Sequence, residues 1–252
     1  MSPSKTSDLA LRLLTAGVTA PLVIYLCFWG PRWGFPAAAA TACLLGAWEL
    51  FGIVAVDQPR LRVWGLVTSA GIFAVTTLPG TTPFVLPAIV ALTCGGMLIT
   101  LTTPLPVETA SARMAWSIAG PLYMGALFGV VSLLSLHELG GSWVMLSLMC
   151  GFFSDTAGYF VGRRVGKHPL SPLVSPKKTI EGSLGGLAGC LLGGLLAHFW
   201  YLQSLPLLNA IVLSLVAAAA GQAGDLCESL IKRSVGVKDS GTILPGHGGI
   251  LD

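Results

Sequence analysis

Residues 183–203 read SLGGLAGCLLGGLLAHFWYLQ and contain no Asp, Glu, Lys or Arg. A helix needs about 20 predominantly apolar residues to cross a hydrocarbon core that is about 30 Å thick. This stretch therefore predicts a transmembrane helix. The whole chain is similar in character, because 54% of its residues are hydrophobic and 10% are charged, whereas a soluble domain carries about 25% charged residues. The composition argues against one large soluble core, which would leave extensive apolar surface in water.

Other parts of the sequence contain further apolar runs of similar length. Together with the quoted stretch they predict an all-α polytopic membrane protein with about eight transmembrane helices in this chain. The runs are 9–29, 35–56, 62–79, 83–102, 114–136, 142–162, 183–203 and 207–227.

The distribution of basic residues predicts the orientation of these helices. Lys and Arg are concentrated in the cytoplasmic loops of membrane proteins. If the N-terminus is cytoplasmic, 13 of the 14 basic residues lie at the inner side, and only Arg32 falls in an outward loop. The opposite orientation would reverse this ratio. We therefore predict a multi-pass protein of the cell (inner) membrane with its N-terminus in the cytoplasm.

The first charged segment, residues 151–182, reads GFFSDTAGYFVGRRVGKHPLSPLVSPKKTIEG. Asp155 falls within an apolar run, where a carboxylate is costly and usually marks a functional site; a buried Asp with a structural partner is the alternative. The basic residues that follow are interleaved with Gly and Pro, which set the backbone direction. This pattern favours a shaped anion site over an ordinary basic loop on anionic lipid. The run SPKKT at 175–179 offers ammonium groups and hydroxyls that can bind phosphates.

The second charged segment, residues 221–252, reads GQAGDLCESLIKRSVGVKDSGTILPGHGGILD. Helical spacing places its first polar residues in one band, with Gly221, Asp225, Glu228 and Lys232 on one face and Gln222, Ser229 and Arg233 beside them. Carboxylates followed by cations suit Mg²⁺ and its phosphate ligands, because Mg²⁺ is bound by one or two carboxylates plus phosphate oxygens. The structural alternative is an i,i+4 ion pair between Glu228 and Lys232.

The loop 238–249, KDSGTILPGHGG, contains four glycines that let the backbone approach a ligand closely. His247 lies among these glycines, where it could donate to a phosphate or orient a ligand; a purely structural histidine is the equal alternative. Asp252 closes the chain.

The second segment closely resembles the signature of the phosphatidate cytidylyltransferases, also called CDP-diacylglycerol synthases. The matching residues are Ser229, Lys232-Arg233, Lys238-Asp239, Leu244-Pro245-Gly246-His247-Gly248-Gly249 and Asp252. Upstream, the residues that look like the family's pattern are Asp155, the SPKKT run with Glu181-Gly182, and Gly224-Asp225-Leu226. The likeness in motif covers 151–252, and over 1–150 it rests on the number of spans.

This family makes CDP-diacylglycerol and pyrophosphate from CTP and phosphatidic acid with Mg²⁺. The resemblance implies the same reaction here, at the cytoplasmic face, in phospholipid biosynthesis. It implies that 1–150 is a transmembrane scaffold for lipid access and oligomer contacts and that 151–252 is the catalytic region. The implied partners are the two substrates, membrane lipid and a second copy of the chain in a homodimer; no nucleic acid is expected.

The roles of individual residues are hypotheses that combine this resemblance with the chemistry above. The predicted catalytic residues are Asp225, Asp252, Lys232 and Lys177. The predicted substrate-binding residues are Lys178, Ser175, Arg233, Lys238, Asp239, His247, Gly248, Gly249, Gln222 and Ser229. The predicted metal ligands are Asp225, Asp252 and Glu228, for Mg²⁺ and, given the number of carboxylates, for a second cation. Asp155 is either structural or linked to the metal.

The chain departs from the family at its end. The family's signature continues after the position of Asp252 to an Arg, a further Asp and a last membrane span, whereas this sequence stops at Asp252. We therefore expect a ninth transmembrane helix to be missing, together with one carboxylate of the site.

Three other classes of membrane protein fit the sequence less well. A transporter or flippase of an anionic lipid or nucleotide would suit Asp155, Glu49 and the basic loop, but its site would lie near the midplane, whereas these polar groups cluster on one side. CDP-alcohol phosphotransferases are a second class, but the Asp-Gly-x-x-Ala-Arg pattern typical of them is absent from this sequence. A structural or assembly protein would not need the charged Gly-rich loop. Glu49 has no assigned role; it could line a lipid entrance or pair with a cation from another helix.

Overall fold

The computed structural model describes residues 5–243 and 248–252, and the chain is mostly helical within these ranges. Apolar runs become helices in lipid because a helix satisfies its own backbone hydrogen bonds. In chain order the elements are α1 Lys5–Phe28, α2 Gly34–Val54, α3 Pro59–Thr77, α4 Val85–Leu101, α5 Ala110–Pro121, α6 Leu127–Ser135, α7 Gly140–Val165, β1 Pro169–Ser171, β2 Ser175–Thr179, α8 Ile180–Trp200 and α9 Leu207–Ser234.

The predicted class, an all-α polytopic membrane protein, is confirmed. Each predicted run coincides with helix, and within the described ranges six stretches are long and apolar enough to cross a membrane. These are Gly34–Val54, Thr82–Leu101, Val107–Ser135, Gly140–Val165, Ile180–Trp200 and Leu207–Ser234. The other two predicted runs, 9–29 and 62–79, are not among these six, for separate reasons. The described apolar part of α1 is Gly17–Phe28, and α3 carries Arg60 and Arg62 in its first turn, which makes it less apolar.

The fifth predicted run, 114–136, is a helix with an irregular middle. α5 ends at Pro121, a π-helical turn spans Leu122–Ala126, and α6 continues from Leu127. Proline has no N–H to donate, and its ring crowds the preceding turn. The π-helical turn that follows is of the single-turn kind found inside α-helices.

The chain divides into two compact units. The first unit contains Met1–Glu138 and Asp239–Asp252, and the second contains Leu139–Lys238. Phe51, Ala55 and Leu61 form a buried cluster in the first unit. The buried cluster of the second unit is built largely from small residues of α7, α8 and α9, including Cys150, Cys190 and Ala218. The functional division at residue 150 stays a prediction.

Small residues bring α7 and α8 of the second unit into close contact. At Gly189 an added Cβ would overlap the carbonyl oxygen of Phe153 and lie 2.5 Å from the Cβ of Ala157. The helix backbones therefore touch here, as small residues permit in membrane proteins. The strands β1 and β2 connect these two helices, so α7's last turns, the strands and α8's first turn lie close to one another in the second unit.

Candidate functional site

The second unit contains a cavity of about 560 Å³ to which α7, the β1–β2 hairpin, α8 and α9 all contribute. Its lining residues are Ser154, Asp155, Gly158, Tyr159, Gly162, Arg163, Leu170, Ser175, Lys177, Lys178, Thr179, Gly182, Ser183, Gly186, Gln222 and Asp225. Both charged segments predicted from the sequence contribute to it. The cavity therefore brings together cations and carboxylates that are up to 70 residues apart in sequence.

The α7 wall of the cavity is a stripe of polar residues one helical turn apart. Asp155, Tyr159 and Arg163 are spaced by four residues, which places them on one helix face. The Nη1 atom of Arg163 donates to the Tyr159 hydroxyl at 2.8 Å, which holds the guanidinium at the cavity. Asp155 is exposed and lines this cavity. Its role, structural or linked to the metal, stays a prediction.

The hairpin wall carries the lysines, and Glu181 fixes the start of the hairpin. Its Oε2 accepts backbone hydrogen bonds from Lys167 at 3.0 Å and His168 at 3.3 Å, and its Oε1 lies 2.6 Å from the Nδ1 of His168. The strands then pair antiparallel, with Pro169 opposite Thr179. Lys177 and Lys178 lie on β2 in this fixed hairpin, so their ammonium groups are presented by an ordered backbone.

The hairpin also leads directly into α8 through a cap. The Thr179 hydroxyl accepts a hydrogen bond from the Gly182 N–H at 3.1 Å. A Thr in this position satisfies one of the free N–H groups of the first turn. The cap fixes the direction in which β2 enters the helix, and with it the position of Lys178 one residue earlier.

The α9 wall meets the hairpin through an ion pair. The ammonium group of Lys178 contacts the Oδ2 of Asp225, and the two side chains are 32% and 47% exposed. Gln222, one turn earlier, donates from Nε2 to the Ser183 carbonyl at 3.0 Å and accepts from the Ser183 hydroxyl. This pair of hydrogen bonds joins α8 to α9 and fixes the amide beside Asp225.

Glu228 and Lys232 lie one and two turns beyond Asp225 on α9. The Lys232 Nζ and the Glu228 Oε1 are 2.6 Å apart, and both side chains are 12% exposed. The structure therefore contains the i,i+4 ion pair that was the structural alternative for these residues. Their predicted catalytic and metal-binding roles stay predictions.

Four of the predicted substrate-binding residues lie in the last turns of α9 or just after it. The Arg233 Nη1 donates to the Val237 carbonyl at 3.4 Å, beyond the end of the helix. Lys238 and Asp239 are exposed, and Ser229 is half-buried. The substrate-binding roles predicted for these residues are neither supported nor contradicted by these contacts.

In the first unit, Asp252 organises the end of the described chain. Its carboxylate accepts hydrogen bonds from the Ser240 N–H at 2.9 Å, the Ser240 hydroxyl at 3.0 Å and the Gly249 N–H at 2.8 Å. Gly248 has a φ of 102°, a conformation that suits glycine. His247 lies outside the described residues. Asp225 belongs to the second unit and Asp252 to the first, so their joint metal site stays a prediction.

The cavity residues without a predicted catalytic or binding role include Arg163 and Tyr159. Arg163 was one of several basic loop residues, and Tyr159 was counted as part of an apolar run. The i,i+4 spacing from Asp155 through Tyr159 to Arg163 was the signal that could have identified them. Ser240 was likewise missed, because its partner Asp252 is 12 residues away in an irregular segment.

A model described as the cytidylyltransferase family matches residues 10–252 of this sequence. The chain belongs to the cytidylyltransferase family. It is 33% identical over 272 residues to a protein named phosphatidate cytidylyltransferase from Synechocystis sp., covering 96% of this chain and 90% of that protein.

Two further relatives carry the same name. The one from Staphylococcus saprophyticus is 38% identical over 138 residues, covering 55% of this chain and 52% of the relative. The one from Bacillus subtilis is 37% identical over 132 residues, covering 52% of this chain and 49% of the relative. In these two matches the chain spans about half of each relative's length.

These matches confirm the family resemblance that was inferred from the charged segments. They also extend it, because the cytidylyltransferase model begins matching at residue 10, whereas the motifs cover only 151–252. The cavity of the second unit is thus a feature of a cytidylyltransferase.

Proposed function

We propose that this chain is a phosphatidate cytidylyltransferase that transfers CMP from CTP to phosphatidic acid, giving CDP-diacylglycerol and pyrophosphate. The observation that carries the proposal is the cavity in which Arg163, Lys177 and Lys178 face Asp155 and Asp225. The names of the relatives support the same reaction. A cavity with this mixture of charges suits two phosphate-bearing reactants that must be held side by side.

In the proposed reaction, a phosphate oxygen of phosphatidic acid attacks the α-phosphorus of CTP. The bond from that phosphorus to the oxygen that bridges the β-phosphorus breaks, and pyrophosphate leaves with the bonding electrons. Such transfers depend on positioning and on neutralising charge more than on a protein nucleophile. Lys177, Lys178 and Arg163 would hold the phosphates, while Ser175 on the hairpin wall and Gln222 on the α9 wall would donate hydrogen bonds.

The donor set of the cavity fits Mg²⁺. Asp155 and Asp225 supply carboxylate oxygens, and Ser154 and Gln222 add neutral oxygens at the lining. Mg²⁺ prefers oxygen ligands and is usually held by one or two carboxylates together with substrate phosphates and water. When bound, the ion would neutralise phosphate charge and align the reacting groups. Asp252 and Glu228 stay as further proposed ligands, and the number of carboxylates leaves room for a second cation.

We further propose that the reaction occurs at the cytoplasmic face of the inner membrane. The support is the concentration of basic residues in the loops assigned to that side. The acyl chains of phosphatidic acid would stay in the bilayer while its headgroup reaches the cavity. A homodimer is proposed from the family resemblance, and the small residues of the membrane helices are compatible with it.

One incubation tests the reaction and separates it from transport. The purified chain is placed in mixed micelles with phosphatidic acid, labelled CTP and Mg²⁺, and lipid-soluble label and pyrophosphate are measured. We expect both products only when all three components are present, and loss of both on adding EDTA. The Synechocystis relative in the same micelles is the positive control. Absence of product from this chain, while the relative is active, would contradict the proposal.

A further inference from the structure

Glu49 is a buried carboxylate near the C-terminal end of α2 that contacts the end of the described chain. Its side chain is 4% exposed. The Oε2 atom accepts hydrogen bonds from the Leu251 N–H at 2.9 Å and from the Ser240 hydroxyl at 3.3 Å. These partners are 202 and 191 residues away in sequence. A buried carboxylate is costly unless it is hydrogen-bonded, so these contacts are specific features of the fold.

Two glycines provide the space for this carboxylate. A Cβ added at Gly241 would overlap the Oε1 of Glu49, and one added at Gly249 would overlap its Oε2 and the hydroxyl of Ser240. No side chain fits at either position without displacing Glu49. The glycines at these two points of the predicted ligand loop therefore allow the backbone to close around Glu49.

Ser240 connects Glu49 to Asp252. Its hydroxyl oxygen lies 3.3 Å from the Oε2 of Glu49 and 3.0 Å from the Oδ2 of Asp252, and its N–H donates to the Asp252 carboxylate. A hydroxyl has one proton to donate, so it can serve one of the two carboxylates at a time. The Gly249 and Leu251 N–H groups complete the connection, since one donates to Asp252 and the other to Glu49.

We infer that Glu49 is a positioning residue for cytidylyl transfer, because it fixes the segment that presents Asp252. The inference rests on the proposed function, in which Asp252 is a metal ligand. Within the described residues, the Oε1 of Glu49 is buried without a hydrogen-bond partner. Such a half-satisfied carboxylate does not favour stability, and well-packed apolar residues often serve a core as well or better. The energetic cost of burying Glu49 in this way therefore points to a role in the reaction.

The test compares Glu49→Ala and Glu49→Gln with the wild type and with Arg113→Ala. Arg113 is a matched control, because it is buried in the same unit but donates to the carbonyls of residues 103–105. For each protein we would measure kcat, the KM for CTP, the Mg²⁺ concentration at half-maximal rate, the melting temperature and deuterium uptake in residues 239–252.

The expected result is a selective loss. Glu49→Ala should lower kcat by about 100-fold, the scale of a misplacement of about 1 Å at a catalytic group, and should raise the Mg²⁺ requirement. The KM for CTP should change by less than about threefold, and deuterium uptake in 239–252 should rise. Glu49→Gln should lose less, because its amide oxygen can still accept from the Leu251 N–H. Arg113→Ala should lower the melting temperature but keep kcat per folded molecule.

Different failures point to different errors. A wild type without product overturns the proposed function and the positioning role with it. An active wild type whose Glu49→Ala variant keeps kcat and its Mg²⁺ requirement overturns the positioning role alone. The same change of kcat and Mg²⁺ requirement in Arg113→Ala would also overturn it, because the effect would then be one of general stability.

Discussion

Replacing Lys178 by Met tests the function of the cavity separately from the stability of the folded protein. The Lys178–Asp225 pair joins β2 to α9, but its side chains are 32% and 47% exposed. Solvent screens such a pair, so losing it should lower the free energy of unfolding by at most about 1 kcal/mol. If Lys178 stabilises charge in the transition state, its loss should lower kcat by about 100-fold, or about 2.7 kcal/mol. We therefore expect a large kinetic effect with a small change in stability.

The assay measures both quantities on the same preparation. Transfer of label from CTP into CDP-diacylglycerol gives kcat and KM in phosphatidic acid micelles, and thermal unfolding followed by circular dichroism gives stability. Arg164→Met is the matched control, because it removes an exposed cation in the last turn of α7 that does not line the cavity. We expect its kcat to stay within about twofold of the wild type.

A charge-swapped variant makes the test stricter. Lys178→Asp combined with Asp225→Lys can restore the ion pair, but it exchanges the places of the phosphate-binding cation and the oxygen donor. Stability should recover while activity does not. If the swapped variant regained activity, or if Lys178→Met kept its kcat within about threefold of the wild type, the assigned role of Lys178 in the cavity would be refuted.

Five further substitutions test how the cavity and the helix packing of the second unit are built. Arg163→Ala should lower kcat by at least tenfold, the lower end of about 10–10² for a lost charge contact to phosphate. Tyr159→Phe should lower kcat less, because the guanidinium stays. Equal activity of Arg163→Ala and wild type would contradict this. Glu181→Ala should raise the KM for CTP, since the hairpin loses the hydrogen bonds that fix its start. An unchanged KM would show that the position of the hairpin does not depend on Glu181. Gly189→Ala should lower the free energy of unfolding by about 1–3 kcal/mol through overpacking, whereas Gly221→Ala, whose Cβ would meet no atom within 4 Å, should not; denaturant unfolding in detergent compares the two.

Much of the fold could be predicted from the sequence because each span is a local property. A run such as 183–203 needs only its own residues to form a helix that satisfies its backbone. The π-turn after Pro121 and the polar first turn of α3 were harder to predict. The length of an apolar run indicates a helix, but it does not indicate a break within the helix or polar residues at its start.

The site was predictable in its chemistry but only partly in its geometry. Lys177, Lys178 and Asp225 were identified as a phosphate and metal site by residue type, and the structure brings them to one cavity. The contacts of Glu49 with Ser240 and Leu251 were not predictable, because no local pattern relates positions about 200 residues apart. The lone carboxylate in an apolar run was the available signal, and it indicated importance without indicating a partner.

The balance of charge in the cavity bears on the need for a cation. Arg163, Lys177 and Lys178 contribute three positive charges, and Asp155 and Asp225 contribute two negative charges, so the lining carries a formal charge of about +1. A single phosphate monoester carries about −1.5 to −2 at neutral pH, and CTP adds three more phosphate groups. These residues cannot balance both reactants by themselves. A divalent ion on the carboxylates would turn the negative part of the lining into a binding surface for phosphate, which would explain why carboxylates lie among the lysines in a site for anions.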